Sequence, residues 1–200
     1  MKNFTKASML SLLLTLSVTF VMAAGNATPY SVSTQKSTLK WTGKKVTGQH
    51  NGSVALSAGT LMVENNVLTG GKFDIDLKTI TCEDLKDAEY NAKLVGHLKS
   101  DDFFSVEKSP IAAVEIVSAT KKAGDSYDIT AKLTIKGITK DITFPATVKV
   151  TGKNVVAVAK ITVDRSKFDI RYGSSSFFEG LGDKAIDNEF MIDVTLAATK

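Results

Sequence analysis

Residues 127–145 read YDITAKLTIKGITKDITFP, and the spacing of apolar residues in this stretch sets the architecture expected for the rest of the chain. Tyr127, Ile129, Ala131, Leu133 and Ile135 alternate with Asp128, Thr130, Lys132, Thr134 and Lys136. Lys136-Gly137 then interrupts the run, and Ile142, Phe144, Ala146, Val148 and Val150 resume it. Successive side chains on a strand point to opposite faces, so a period of two with one polar face describes antiparallel strands, dry on one side and wet on the other. A glycine between two such runs supplies the positive φ that a tight hairpin demands.

The same rows recur on both sides. Leu39 and Trp41 begin them, followed by Phe73, Ile75 and Leu77, then by Ala112, Val114 and Ile116. Ala159, Ile161 and Val163 come later, and Phe190, Ile192, Val194 and Leu196 close the series. Reversals are expected at Asn51-Gly52, Asn65-Asn66, Gly124-Asp125 and Gly152-Lys153-Asn154. Eight or nine strands of this kind make an all-β chain, a closed antiparallel barrel or a sandwich. One segment departs from the pattern. TCEDLKDAEYNAKLVGHLKS, residues 81–100, carries Leu85, Ala88, Ala92, Val95 and Leu98 at helical spacing. A helical excursion is therefore expected over about 82–99, capped by Thr81.

The start of the chain reads differently. Lys2 and Lys6 precede a charge-free run over residues 7–23 that ends in Val21-Met22-Ala23. A basic start, an apolar centre and a small-residue end describe a secretory signal over 1–23. Residues 24–200 then form one domain, beginning near Ala24. The apolar run falls short of the roughly 20 residues that a spanning helix needs, so no membrane span is expected. The 25 basic and 21 acidic residues of the whole chain are interspersed. Without a basic block, nucleic acid is not an expected partner. Cys82 is the only cysteine, so stability must come from a core rather than an internal disulfide.

Catalytic sets are not evident. The chain has two histidines, His50 and His97, and lacks HExxH, CxxC and G-x-S-x-G. No enzyme activity, metal or cofactor is expected. The strongest rival is a lipid-acting hydrolase or isomerase that uses His97 with Asp101 or Asp102. Both histidines with one of those acids would be the nearest approach to a metal set. A turn role for His50 and a helix-end hydrogen bond for His97 compete with it. Cys82 reads as a small residue at the helix entry. Phe103-Phe104 and Phe177-Phe178 sit among polar residues, where they plug a barrel end or line its mouth. Ala112, Ala131, Ala146 and Ala159 interrupt inward rows. They leave room either for a ligand or for Trp41 and Phe144 from facing strands. In the second case the barrel is filled by side chains and serves as an interaction module.

Four stretches together resemble a known family: GGKFDIDLKTI (70–80), HLKSDDFF (97–104), YDITAKLTIKGITKDITFP (127–145) and ITVDRSKFDIRYGSS (161–175). They are similar to the YceI-like family of exported, lipocalin-like polyisoprenoid-binding proteins, over about residues 33–198. The resemblance implies a closed, lipocalin-like antiparallel barrel of about eight strands. It also implies an apolar tunnel holding an isoprenoid lipid, such as an isoprenoid quinone, outside the cytoplasm. The periplasm is the expected compartment, with secretion as the alternative, and a homodimer is left open. No catalysis is implied. The ligand-binding residues expected on this basis are Trp41, Phe73, Phe103, Phe104, Ala131, Leu133, Ile135, Phe144, Phe168 and Phe178, with the Trp41 indole N–H available to a head group. In HLKSDDFF the acids are expected to face water and the phenylalanines the barrel. The chain departs from many relatives near its start, where Trp41 and Gly43-Lys44-Lys45 stand in place of an F-x-V-x-H stretch and His50 follows later.

Overall fold

The computed structural model describes residues 26–200. The secretory signal expected over 1–23 and the expected start near Ala24 lie outside the described residues. Nine strands follow in order: β1 (Thr28–Val32), β2 (Thr38–Lys45), β3 (Gly48–Glu64), β4 (Val67–Asp76), β5 (Ile111–Lys121), β6 (Ser126–Ile135), β7 (Ile138–Thr151), β8 (Asn154–Asp164) and β9 (Ile186–Thr199). Among the described residues there is one α-helix, α1 (Ala88–Lys99), which lies between β4 and β5.

The β6–β7 hairpin forms as its sequence requires. Its inward row, from Tyr127 to Ile135, is at most 5% exposed. Lys136 and Gly137 adopt φ of 52° and 75°, and Asn65 and Asn66 between β3 and β4 adopt 50° and 62°. Paired positive φ values match the twist of antiparallel strands. Each strand from β2 to β9 pairs antiparallel with its neighbour, and β9 pairs back onto β2. The result is a closed eight-stranded barrel without free edges. β1 is an extra strand. It pairs with the end of β3, from Thr28↔Val63 to Ser31↔Thr60, and with β9 at Val32↔Ala198. β1 and β2 therefore make one stave, broken at residues 33–37.

The connections are unequal. One end of the barrel carries the short turns at 65–66 and 152–153 and the 122–125 loop. The other carries the 46–47 turn, the β6–β7 turn and both long connections, 77–110 and 165–185.

Two local expectations are corrected. Asn51-Gly52 is not a reversal: it lies inside the 17-residue β3, and the chain turns at Val46-Thr47 instead. Gly52 serves a close approach, since a Cβ there would sit 1.9 Å from the Thr81 carbonyl oxygen. The helix begins at Ala88 rather than near 82, and its cap is Asp87, which accepts from the Glu89 and Tyr90 N–H groups at 3.0 Å each. Residues 81–83 are extended because β3 claims their backbone. Thr81 N donates to Ser53 O at 3.0 Å and Glu83 N to Asn51 O at 2.8 Å. β4 leaves β3 at Ala55↔Asp76, and this strap covers the strand beyond that point. Gly52→Ala should push the strap off β3 and cost about 1–3 kcal/mol, as overpacking does. Denaturant unfolding checks this, and an unchanged midpoint would show that the strap yields freely.

Candidate functional site

The barrel interior is packed at one end and open along its middle. At the packed end Tyr30 and Tyr127 are 2% and 1% exposed. A buried tyrosine needs a partner for its hydroxyl. Tyr30 donates to Gly152 O at 2.9 Å, and Tyr127 accepts from the Leu68 N–H at 3.3 Å. Midway along the barrel, Ile142, Phe144, Ala146, Ala159, Ile192 and Val194 face inward yet are only half-buried. They border a cavity of about 560 Å³ whose wall is almost wholly apolar. Ala146 and Ala159 are directly paired across β7 and β8, so two methyl groups face the space where larger side chains would fill it.

The long connections build the mouth. Leu94 and Leu98 of α1 reach the cavity. Phe103 is 8% exposed, with its ring centroid 5.6 Å from that of Tyr172. His97 stands edge-on to both rings, at 5.0 and 4.5 Å. Behind them lies Arg165, 4% exposed and held by carbonyls alone. Its Nε donates to Asp187 O (2.9 Å), Nη1 to Ile170 O and Tyr172 O (2.9 Å each) and Nη2 to Ile186 O (3.0 Å). Burial lowers its pKa from the usual arginine value, against the opposing charges of Asp164 and Asp187. The rim between the β2–β3 hairpin and the start of β9 is polar and of mixed charge, with Lys44, Lys45, Gln49, His50, Asp183, Lys184 and Asp187. Arg165 was not singled out from the sequence, although it continues the inward parity of Ile161 and Val163.

Of the residues expected to bind ligand, Trp41, Phe73, Phe103, Phe104, Leu133, Ile135 and Phe144 lie on the cavity wall. Three do not. Ala131 is 0% exposed and sits between its partners Ile116 and Ile142. Those longer side chains reach the cavity, and its methyl does not. Phe168 is 1% exposed, inside the turn Arg165–Phe168, and packs behind the wall. Phe178 is 49% exposed on the loop before β9. Trp41 is on the wall, but its indole N–H donates to Thr81 O at 2.9 Å and is not free for a head group.

The stretch HLKSDDFF divides as its chemistry suggests. Asp101 binds Lys108 and Ser105, which hold its carboxyl below the usual value. Asp102 lies 3.0 Å from His97. Both acids are exposed, while Phe103 and Phe104 turn to the cavity. The His97–Asp102 pair assembles on the outer side of Phe103, off the wall.

The two histidines do not meet. His50 instead lies 2.8 Å from Asp84, and the Cys82 thiol donates to the same carboxylate at 3.3 Å. Burial pushes the Cys82 thiol up from its usual value, and the Asp84 charge adds to this. Burial would also raise Asp84, but hydrogen bonds from the Asn51 N–H, His50 and Cys82 outweigh it and hold Asp84 at about 2. This trio was not legible in the sequence, because only the strap brings Cys82 and Asp84 beside β3.

A closed antiparallel barrel around an apolar, ligand-sized space defines a lipocalin-like class of β-barrel. The chain belongs to the family of the YceI-like domain, whose model matches residues 30–198. A UPF0312 protein of Pseudomonas aeruginosa is 48% identical over 50 residues, 25% of this chain and 26% of that protein. The match thus spans about a quarter of the curated relative. BcnA of Burkholderia cenocepacia has the same fold, with a TM-score of 0.67 and 23% identity over 84% of this chain and 99% of that one. A polyisoprenoid binding domain from Saccharophagus degradans, implicated in plant cell wall breakdown, gives 0.61 and 13% over 85% and 97%. Both likenesses are of fold. Among the described residues, no helix is long and apolar enough to cross a membrane.

Proposed function

We propose that this chain is an extracytoplasmic binding protein that holds a polyisoprenoid or another long apolar lipid in its barrel, for carriage, storage or scavenging. The observation that carries the reading is the ring of inward apolar side chains left half-buried around the cavity of about 560 Å³. The fold shared with a domain described as polyisoprenoid-binding supports the choice of ligand class. Each methylene removed from water contributes roughly 0.8 kcal/mol, and ordering the flexible chain returns a large share of that gain. An apolar wall closed at one end suits a tail, and the mixed-charge rim suits a polar head. The basic start and charge-free run over 7–23 support export. The reading is binding rather than catalysis, since His97 and Asp102 bond to each other away from the wall.

Mass spectrometry tests both parts. Protein expressed with its full leader in a host that makes isoprenoid quinones should yield an organic extract containing about one long apolar lipid per chain. Its intact mass should place the first residue near Ala24. An empty extract, with no uptake of added prenyl lipid, would sink the binding reading. A mass that retains residues 1–21 would sink export.

A further inference from the structure

We propose that His50, Cys82 and Asp84 form a binding site for a divalent metal ion of borderline softness, zinc foremost, at the rim of the cavity. One ligand atom from each residue lies within 4.8 Å of the other two. Around a zinc ion, with Zn–S about 2.3 Å and Zn–N and Zn–O about 2.0–2.2 Å, tetrahedral ligand atoms stand about 3.4–3.6 Å apart. The trio therefore needs its ligand atoms to shift by about an ångström relative to one another. A thiolate and a carboxylate together neutralise a divalent cation, and imidazole beside thiolate favours zinc over magnesium or calcium. On binding, the thiol proton leaves to solvent, His50 takes the tautomer that carries its proton on Nε2 so that Nδ1 is free to ligate, and the His50–Asp84 hydrogen bond gives way to two bonds to the metal. Three protein ligands leave a fourth position for water or for a polar group at the cavity mouth.

The backbone around the trio is held in advance. The Asn51 N–H binds Asp84 Oδ1 at 2.9 Å, leaving Oδ2 turned to His50. Asn91 of α1 donates from Nδ2 to Cys82 O at 3.0 Å and Leu85 O at 2.9 Å, which fixes the bend that carries both strap ligands. Such outer partners position metal ligands, and losing one typically costs about 10–100-fold in affinity. Cys82 is 8% exposed, and His50 lies at the cavity rim. The inference is independent of the lipid reading, because a metal binds or fails to bind whatever fills the barrel.

The test uses the whole mature protein, reduced and stripped with a chelator, titrated with Zn²⁺ by calorimetry and with Co²⁺ by absorption. One equivalent should bind, and Co²⁺ should give an intense near-ultraviolet thiolate-to-metal band. Cys82→Ser should abolish the band and weaken Zn²⁺ by more than the roughly 10–100-fold expected for Asn91→Ala, which keeps the band. His50→Gln should weaken Zn²⁺ as Cys82→Ser does, so the test stands if one variant fails to fold. His97→Gln should change neither signal. Circular dichroism checks the fold of each variant, and Zn²⁺ should raise the melting temperature of the wild type and of His97→Gln but not of Cys82→Ser or His50→Gln. Absence of the Co²⁺ band in the wild type, or Zn²⁺ binding that survives both Cys82→Ser and His50→Gln, overturns the site.

Discussion

Arg165→Met should lower the melting temperature of the delipidated protein by about 6–12 °C. The side chain is 4% exposed, and its guanidinium bonds the carbonyls of Ile170, Tyr172, Ile186 and Asp187. Each buried acceptor left without a donor costs about 1–3 kcal/mol. If water rescues some of the four, a net loss of about 3 kcal/mol remains, and each kcal/mol shifts a domain of this size by about 2–4 °C. Arg165→Lys should recover only a small part, because an ammonium is a compact charge and cannot spread its donors over four carbonyls. A melting temperature within about 2 °C of wild type for Arg165→Met would mean that the mouth is held by its apolar contacts and not by this fork.

Ala159→Phe should remove most of the lipid recovered per mole while leaving the delipidated protein as stable as before, or more so. Ala159 borders the cavity opposite Ala146, so an added ring enters apolar space already enclosed and competes with a lipid for it. Ala131→Phe is the matched control. It lies two strands away, on β6, at 0% exposure between Ile116 and Ile142, where a ring has no room and should cost about 1–3 kcal/mol. Melting must follow delipidation, since bound ligand raises apparent stability by mass action. Equal destabilisation by the two substitutions, with no lipid in the wild type, would identify a filled barrel. Unchanged lipid in Ala159→Phe would place the bound chain elsewhere in the cavity.

The contrast between these alanines marks how far the sequence can be read. Alternation tells which side of a strand faces inward, and it does so for Tyr127 through Ile135 and for Ile142 through Val150. It carries no information on height along the barrel axis, and height decides that Ala146 and Ala159 border space while Ala131 does not. β3 is hard to read for a related reason. A bulge between Leu56 and Ala58 moves its inward set from Val54 and Leu56 to Leu61 and Val63, so no single parity covers the strand. Asn51-Gly52 has the composition of a turn, but Gly52 is there to admit the Thr81 carbonyl. The helix is read early because residues 81–87 have helix-forming side chains while β3 holds part of their backbone. The mouth is the least legible part. Arg165, Tyr172 and the trio around Asp84 are joined by two long connections whose meeting leaves no local pattern.

The broken stave has a consequence for time rather than shape. With β1 and β2 counted as one stave, every pairing around the ring but one joins staves that follow each other in the chain. The exception is the seam of β1 and β2 with β9, where the Ala197 N–H binds Ser37 Oγ across 160 positions and the Ser33 N–H reaches Ala197 O at 2.8 Å. Contacts so distant along the chain form slowly. A chain in which the other pairings formed first would be an open sheet with two unpaired edges and a bare apolar inner face, a state exposed to aggregation. In such a sheet the cavity would come into being only when the last strand docked against the first, and a lipid already lying on the inner face would be enclosed without crossing the rim.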